Sequence, residues 1–337
     1  MLERSPLSLG TDLRRRVGAA VVDGFFRGVS AAGRLHPRAR PERHDLEVLR
    51  DVPYRPSGLA EHRLDIYRPR AGRGEGPLPV VLYVHGGGFR ILSKDTHWIM
   101  GLAFARRGYL VFNISYRLAP RAPFPAAIED SCEALQWVAR NAARYGGDPS
   151  RLVLAGESAG ANLVTSLALA TSYRRPEPWA ARLFDAEIRP SAVIPACGLL
   201  QVTEPERFRR RWPKLSPFIY DRLFEVSRAY LGDDLVHRPG AHDLADPLVF
   251  FERGERPERA LPPFFAPCGT SDPLIDDTQR LKRALDGLGA ECVAEYYPGE
   301  PHAFHAFVFK ENARRCWGHT YAFLDEHLGS AAHAEEE

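Results

Sequence analysis

The chain lacks several features that would point to other classes of protein. Its 337 residues carry a formal net charge of +2, so no basic excess marks a nucleic-acid-binding surface. No apolar run reaches the roughly 18 residues that a transmembrane helix needs. The N-terminus also lacks the apolar core of a signal peptide. We therefore expect a cytoplasmic protein with no nucleic-acid partner and no transmembrane segment.

Cysteine and lysine are scarce. Only four of the 45 basic residues are lysines, which we interpret as composition bias rather than as the mark of a partner. The five cysteines form no C-x-x-C pair, which indicates buried thiols in a reducing compartment rather than a disulfide framework. No His/Cys/carboxylate cluster has zinc-like spacing, so neither a metal nor a cofactor is expected. The cysteines are Cys132, Cys197, Cys268, Cys292 and Cys316.

Residues 151–163 are the stretch of sequence that says most about a possible catalytic site. Positions 151–155 have the length and apolar character of a strand, and 161–170 indicate a helix. Between them lies the sequence Gly-Glu-Ser-Ala-Gly, a G-x-S-x-G motif in the strand–turn–helix setting of a nucleophile elbow. Such a turn strains its central residue and needs glycine on both sides. The motif predicts that Ser158 is exposed at the carboxyl end of the sheet, beside the Ala159 amide.

Strands alternate with helices along most of the chain, after an initial antiparallel pair of strands. This order predicts an α/β fold with a mostly parallel sheet and helices on both faces. The predicted strands cover 44–52, 62–67, 80–84, 110–115, 151–155, 188–196, 264–268 and 292–297, and the predicted helices cover 126–144, 161–170, 277–288 and 312–328.

Three segments lie outside this alternation. Residues 200–262 contain no convincing strand and are interpreted as a helical insertion, and the tail 329–337 is predicted to be disordered. Near the N-terminus, apolar residues at four-residue spacing predict an amphipathic helix over 11–32. We expect this helix to pack on the rest of the protein; contact with a lipid surface is the alternative. Its apolar stripe consists of Leu13, Val17, Val21, Phe25 and Val29.

Two residues that follow predicted strands complete a serine triad. Asp272 lies 114 residues after Ser158, and His302 lies 30 residues after Asp272. The order Ser, Asp, His is that of hydrolases with an elbow, and both positions follow strands, where catalytic loops of open α/β sheets gather. His302 would accept the serine proton and Asp272 would orient the imidazole. His305, one turn later, is expected to pack or cap the segment before the last helix.

A glycine run supplies a candidate oxyanion hole. His85-Gly86-Gly87-Gly88 follows a predicted buried strand, and successive glycines let backbone amides approach a ligand without obstruction by Cβ atoms. No Gly-Lys-Ser/Thr follows, which argues against a phosphate loop. The predicted donors are the amides of Gly86, Gly87 and Ala159.

Together these motifs resemble the hormone-sensitive-lipase-like esterases of the α/β-hydrolase fold. The resemblance covers about residues 45–328 and implies an eight-stranded catalytic domain. It also implies a cap built from residues 1–44 and the insertion 200–262. The family often has Asp, Gly and Gly where this chain has Glu157, Ala161 and Ala303. The matching segments are 85–89, 116–120, 124–127 with Asp130, 156–160, 272–274 with Asp276, and 302–304.

The resemblance implies a serine carboxylesterase that acts on short- to medium-chain esters through an acyl-enzyme. The partner would be a small-molecule ester, and a monomer and a homodimer both stay open. An amidase, lactonase or carbamate hydrolase with the same triad is an alternative, because the triad residues do not determine which leaving group is released. A ligand-binding pseudo-hydrolase is the alternative from another class, although such proteins usually lose a triad residue.

Overall fold

A single eight-stranded sheet forms the centre of the protein. The computed structural model describes residues 6–70 and 76–329, with the backbone alone for residues 6–17 and 19. The predicted tail therefore lies almost wholly outside the described residues. The strands are β1 (Leu46–Pro53), β2 (Arg63–Pro69), β3 (Leu78–Val84), β4 (Leu110–Ile114), β5 (Gly147–Glu157), β6 (Ala192–Ala196), β7 (Phe264–Gly269) and β8 (Cys292–Tyr297).

The sheet is mostly parallel. Its strand order is β1-β2-β4-β3-β5-β6-β7-β8. Strand β2 runs antiparallel to β1 and β4, whereas all other neighbouring pairs are parallel. The parallel strands β3, β5, β6, β7 and β8 therefore end at the same edge. The predicted fold class is confirmed.

Ten α-helices occur in the described residues, and they cover both faces of the sheet. Val80, Leu82 and Val84 of β3 lie in one core with α3, α4, α8 and α9, whereas Val81 and Tyr83 lie in the other with α2 and α10. This alternation explains why β3 is a continuous apolar run. The helices are α1 (Pro6–Leu35), α2 (Trp98–Arg106), α3 (Ala126–Asn141), α4 (Ala159–Ser172), α5 (Pro178–Asp185), α6 (Arg207–Arg211), α7 (Pro217–Leu231), α8 (Pro247–Glu252), α9 (Ile275–Gly287) and α10 (Glu311–Leu328).

Four elements differ most from the sequence-based assignment. Strand β6 begins at Ala192, four residues after its predicted start. Strand β5 begins four residues before the predicted start, because its polar beginning pairs with β3, Leu78 opposite Gly147. Helix α2 was not predicted. Helix α5 lies in the segment 171–186, to which no structure had been assigned. The start of β5 depends on backbone pairing between distant segments, which an apolar pattern does not reveal.

The described contacts of helix α1 with the rest of the protein are made by residues outside its predicted apolar stripe. Of the predicted stripe, Val21 is 60%, Phe25 56% and Val29 44% exposed; the side chains of its first two members lie outside the described residues. Contact is made instead at Ser30, which accepts a hydrogen bond from the Trp98 indole at 3.0 Å, and at Gly18 beside Arg222 of α7. The helix therefore does contact the rest of the protein, as expected, but these three stripe residues are largely exposed to solvent. A small residue allows the close approach that packing requires.

The insertion 200–262, described throughout, contains helices α6 to α8 and no strand. Helix α7 lies against the glycine loop that follows β3. A Cβ atom on Gly88 would be 2.5 Å from Val226 of α7, and the Phe89 ring stacks on Tyr230 with 3.8 Å between centroids. Among the described residues, no helix is long and apolar enough to cross a bilayer.

Candidate active site

Ser158 occupies a strained turn between β5 and α4. Its φ of 54° and ψ of −114° place a non-glycine residue in a region that side chains rarely adopt. The flanking glycines are required by close contact. A Cβ atom on Gly156 would lie 2.6 Å from the Gly160 carbonyl oxygen, and one on Gly160 would lie 2.0 Å from the Val84 carbonyl oxygen. The turn therefore has the geometry that the motif predicts.

The glycine loop packs directly against this turn. A Cβ atom on Gly86 would lie 3.0 Å from the Glu157 carbonyl oxygen, and Gly87 has a φ of +111° that favours glycine. His85 anchors the start of the loop: its ring stacks on Tyr116, whose hydroxyl donates to the His85 carbonyl oxygen at 2.9 Å. Burial and the neighbouring His97 lower the pKa of His85 to about 3, which keeps this imidazole neutral. Gly86 thus lies against Glu157, the residue before Ser158, and Gly87 is the next residue of the loop.

Asp272 and His302 form an ion pair at the same edge of the sheet. His302 Nδ1 lies 2.8 Å from Asp272 Oδ2, and Asp272 Oδ1 accepts the Leu274 amide at 2.8 Å. Asp272 is fully buried, whereas the His302 side chain is 35% exposed. Burial lowers the pKa of the His302 imidazole, but Asp272 and, to a smaller extent, Glu157 outweigh burial and hold that pKa above its ordinary 6.5.

The end of β6 connects the serine turn to this pair. The Ser158 amide donates to the Ala196 carbonyl oxygen at 3.0 Å. The next residue, Cys197, offers a thiol sulfur that lies within 4.8 Å of ligand atoms on Asp272 and His302. All six residues that the sequence singled out follow parallel strands at this one edge of the sheet, and Asp272 and His302 are in direct contact. The six are Ser158, Asp272, His302, Gly86, Gly87 and Ala159.

A buried carboxylate behind the serine escaped the sequence analysis. Glu157 Oε1 lies 2.8 Å from His97 Nε2, and Glu157 Oε2 lies 3.0 Å from His305 Nε2. Burial raises the pKa of Glu157, but the two histidines outweigh burial and hold that pKa well below its ordinary value. A glutamate beside the nucleophile in the motif was the one available signal, and it did not reveal the histidine partners.

His305 and the 116–130 segment have the contacts expected of supporting residues. His305 is buried, and its carbonyl oxygen accepts the Trp317 indole at 3.1 Å. Arg117 pairs with Asp130 through two guanidinium nitrogens, at 2.7 and 2.8 Å. Phe208 of the insertion is buried in the same core as Val80, Leu82 and Val84 of β3.

Comparison with known proteins agrees with this arrangement. A family model described as "alpha/beta hydrolase fold" matches residues 81–306. The chain belongs to the α/β-hydrolase fold family. All five cysteines are free and buried, as the absence of a C-x-x-C pair predicted.

The amino-acid sequence is similar to those of two known esterases. Carboxylesterase NlhH of Mycobacterium tuberculosis is 40% identical over 296 residues, which cover 86% of this chain and 82% of the relative. Versiconal hemiacetal acetate esterase of Dothistroma septosporum is 30% identical over 292 residues, 84% of this chain and 80% of the relative.

Solved structures show the same fold. Esterase LipW from Mycobacterium marinum matches with a TM-score of 0.70 at 25% identity. The match covers 92% of this chain and 90% of the LipW chain. The hyperthermophilic esterase from the archaeon Pyrobaculum calidifontis has a TM-score of 0.71 at 25% identity, with coverage of 96% and 99%.

Proposed function

We propose that this protein is a serine carboxylesterase of the hormone-sensitive-lipase-like type. One juxtaposition carries the proposal: a serine in a strained turn shares the sheet edge with a buried aspartate that is paired to a partly exposed histidine. The sequence similarity to esterases supports ester hydrolysis as the reaction.

The mechanism follows from the acid–base chemistry of these groups. Ser158 Oγ attacks the ester carbonyl while His302 accepts the hydroxyl proton, and the imidazolium then returns this proton to the leaving alcohol. Asp272, already bonded to Nδ1, holds the ring in orientation and stabilises its cationic form. The amides of Gly86, Gly87 and Ala159 stabilise the oxyanion. Water, deprotonated by His302, then hydrolyses the acyl-enzyme.

The insertion 200–262 and the N-terminal segment 1–44 form a cap in this proposal, over a catalytic domain of residues 45–328. The contacts of Val226 with Gly88 and of Tyr230 with Phe89 support it, because Gly88 and Phe89 directly follow the proposed oxyanion donors Gly86 and Gly87 in the loop. A cap so close to the reacting carbonyl limits the room for an acyl chain. Short and medium acyl groups are the proposed substrates.

Labelling with a fluorophosphonate probe, together with turnover of p-nitrophenyl butyrate, tests the nucleophile. Ser158→Ala loses labelling and about 10⁶-fold in kcat, because removal of the triad serine removes the covalent step. Ser150→Ala is the matched control: it lies on the same strand, at the end far from the site, and its change leaves both readouts intact. Ser158→Ala keeps a native circular dichroism spectrum.

Two results would contradict the proposal. One is a Ser158→Ala enzyme that retains more than a few per cent of activity after contamination is excluded. The other is a wild-type protein that neither labels nor hydrolyses any of a panel of esters, aryl amides and lactones, which would favour a ligand-binding role.

A further inference from the structure

Cys197 lies beside the Asp272–His302 pair, although the proposed mechanism gives it no task. It follows β6 directly, has a φ of +41°, and its side chain is fully buried. Its sulfur, an Asp272 carboxylate oxygen and a His302 ring nitrogen all lie within 4.8 Å of one another. Because these residues are far apart in the sequence, no spacing motif reveals the cluster.

The three side chains offer the donor set that zinc prefers. Zn²⁺ is bound in proteins by thiolate, imidazole and carboxylate, with bonds of about 2.0 to 2.3 Å. Bonds of that length put tetrahedral ligand atoms about 3.3 to 3.8 Å apart. His302 Nδ1 and Asp272 Oδ2 lie 2.8 Å apart and the Cys197 sulfur lies within 4.8 Å of both residues, so metal binding requires small side-chain adjustments. Three protein ligands leave a fourth position for water, and the partly exposed His302 ring gives an entry path.

The charge of the surroundings also favours a cation. Asp272 belongs to the cluster, and Glu157 lies on the neighbouring strand opposite Ala196, the residue before Cys197; both carboxylates are buried. Their negative charge attracts a divalent ion, and a bound ion deprotonates the coordinating thiol. The thiol proton is released to solvent, and no oxidation or reduction takes place.

We propose that Cys197, Asp272 and His302 form an inhibitory site for a thiophilic divalent cation such as Zn²⁺. The inhibition, though not the binding, rests on the proposed esterase function. The ion takes two residues of the triad: binding at His302 Nε2 occupies the lone pair that accepts the serine proton, and binding at Nδ1 replaces the bond to Asp272. Zn²⁺ is therefore an inhibitor, and EDTA alone leaves the metal-free enzyme's activity unchanged.

Two measurements on the full chain test the site. The first is inhibition of p-nitrophenyl butyrate turnover by Zn²⁺, and its reversal by EDTA. The second is Co²⁺ absorption, in which a thiolate-to-cobalt charge-transfer band reports the sulfur ligand without any catalysis. The variants are Cys197→Ala and Cys197→Gly, the latter because glycine accepts the positive φ. The matched control is Cys132→Ala, because Cys132 is also a buried cysteine but lies in the core beside Val80, Leu82 and Val84.

We expect wild type and Cys132→Ala to show the cobalt band and Zn²⁺ inhibition. Both Cys197 variants lose the band and need at least about tenfold more Zn²⁺, since even indirect partners of a ligand are worth 10- to 100-fold in affinity. Ser158→Ala, although inactive, keeps the band, so failure of the esterase proposal would not hide the site. A wild-type protein without the band, or folded Cys197 variants with wild-type Zn²⁺ sensitivity, would overturn the inference.

Discussion

At the scale of single residues, the two histidines after β8 have different partners. His302 pairs with buried Asp272, whereas His305 contacts Glu157 and is itself buried. His302→Ala therefore loses several orders of magnitude in kcat, as removal of a triad member does. His305→Ala keeps most of kcat and loses stability. Measuring kcat and urea denaturation for both variants checks this difference, and a reversed result would make His305 the general base.

Glu157 offers a second residue-scale prediction, on pH dependence. Asp272 and Glu157 both raise the pKa of His302, whose neutral form is the base. Activity is therefore lost as pH falls through a midpoint above 6.5. Glu157→Gln removes one of the negative charges, so the pKa of His302 falls and the acid limb of the kcat/KM profile moves to lower pH.

The control for this prediction is Glu157→Asp, which retains the charge and keeps the limb closer to its wild-type position. A purely structural role for Glu157 would lower kcat/KM at all pH values without moving the limb. An unmoved limb in a folded Glu157→Gln enzyme would therefore contradict the electrostatic role.

At the scale of elements, a buried ion pair ties the insertion to the catalytic domain. Arg207 of α6 and Asp277 of α9 have side chains 4% and 0% exposed, with Arg207 Nη2 2.8 Å from Asp277 Oδ2. Asp277 also accepts the amides of Leu200 and Gln201. This carboxylate therefore fixes the backbone at the start of the insertion.

Removal of the arginine takes away the nearest cationic partner of a buried carboxylate, leaving Arg280 at 3.9 Å and the two amides. We expect Arg207→Ala to lower the free energy of unfolding by about 3 to 5 kcal/mol. Arg210→Ala, on the same helix with its side chain 64% exposed, changes it by less than about 0.5 kcal/mol. Urea denaturation of both variants measures the difference, and equal effects would show that the pair does not hold the insertion in place.

At the scale of the whole molecule, the position of α7 on the glycine loop bears on substrate size. We expect higher kcat/KM for p-nitrophenyl butyrate than for the palmitate ester, both assayed under the same detergent conditions. Val226→Ala removes bulk beside Gly88, and should shift the preference toward longer chains. Ile219→Ala, on the same helix but exposed, serves as the control. Faster turnover of the long ester by wild type would contradict the proposed cap.

The N-terminal helix shows how a pattern can be correct about an element and leave its contacts undetermined. The four-residue spacing predicted a helix, and α1 is one. The three stripe residues whose side chains are described are largely exposed, whereas Ser30 and Gly18 make contacts. Periodicity reports which side of a helix is apolar, but close approach depends on side-chain size and on the surface that is met.

The sequence by itself determined the fold class, the eight strands and the six candidate site residues. These depend on local apolar runs, on glycine-flanked motifs and on the order of elements along the chain, all of which can be read without coordinates. The convergence of these six residues at one sheet edge also follows from order, because parallel strands present their carboxyl ends together.

Only the tertiary structure decided which distant side chains meet. Glu157 between His97 and His305, Cys197 beside His302, and Arg207 against Asp277 are contacts across the sheet edge or between layers. A single residue in a loop carries no periodic signal, and its partner is set by strand order and by the packing of helices on the sheet. The electrostatics of the site therefore come from packing, whereas its covalent chemistry comes from local motifs.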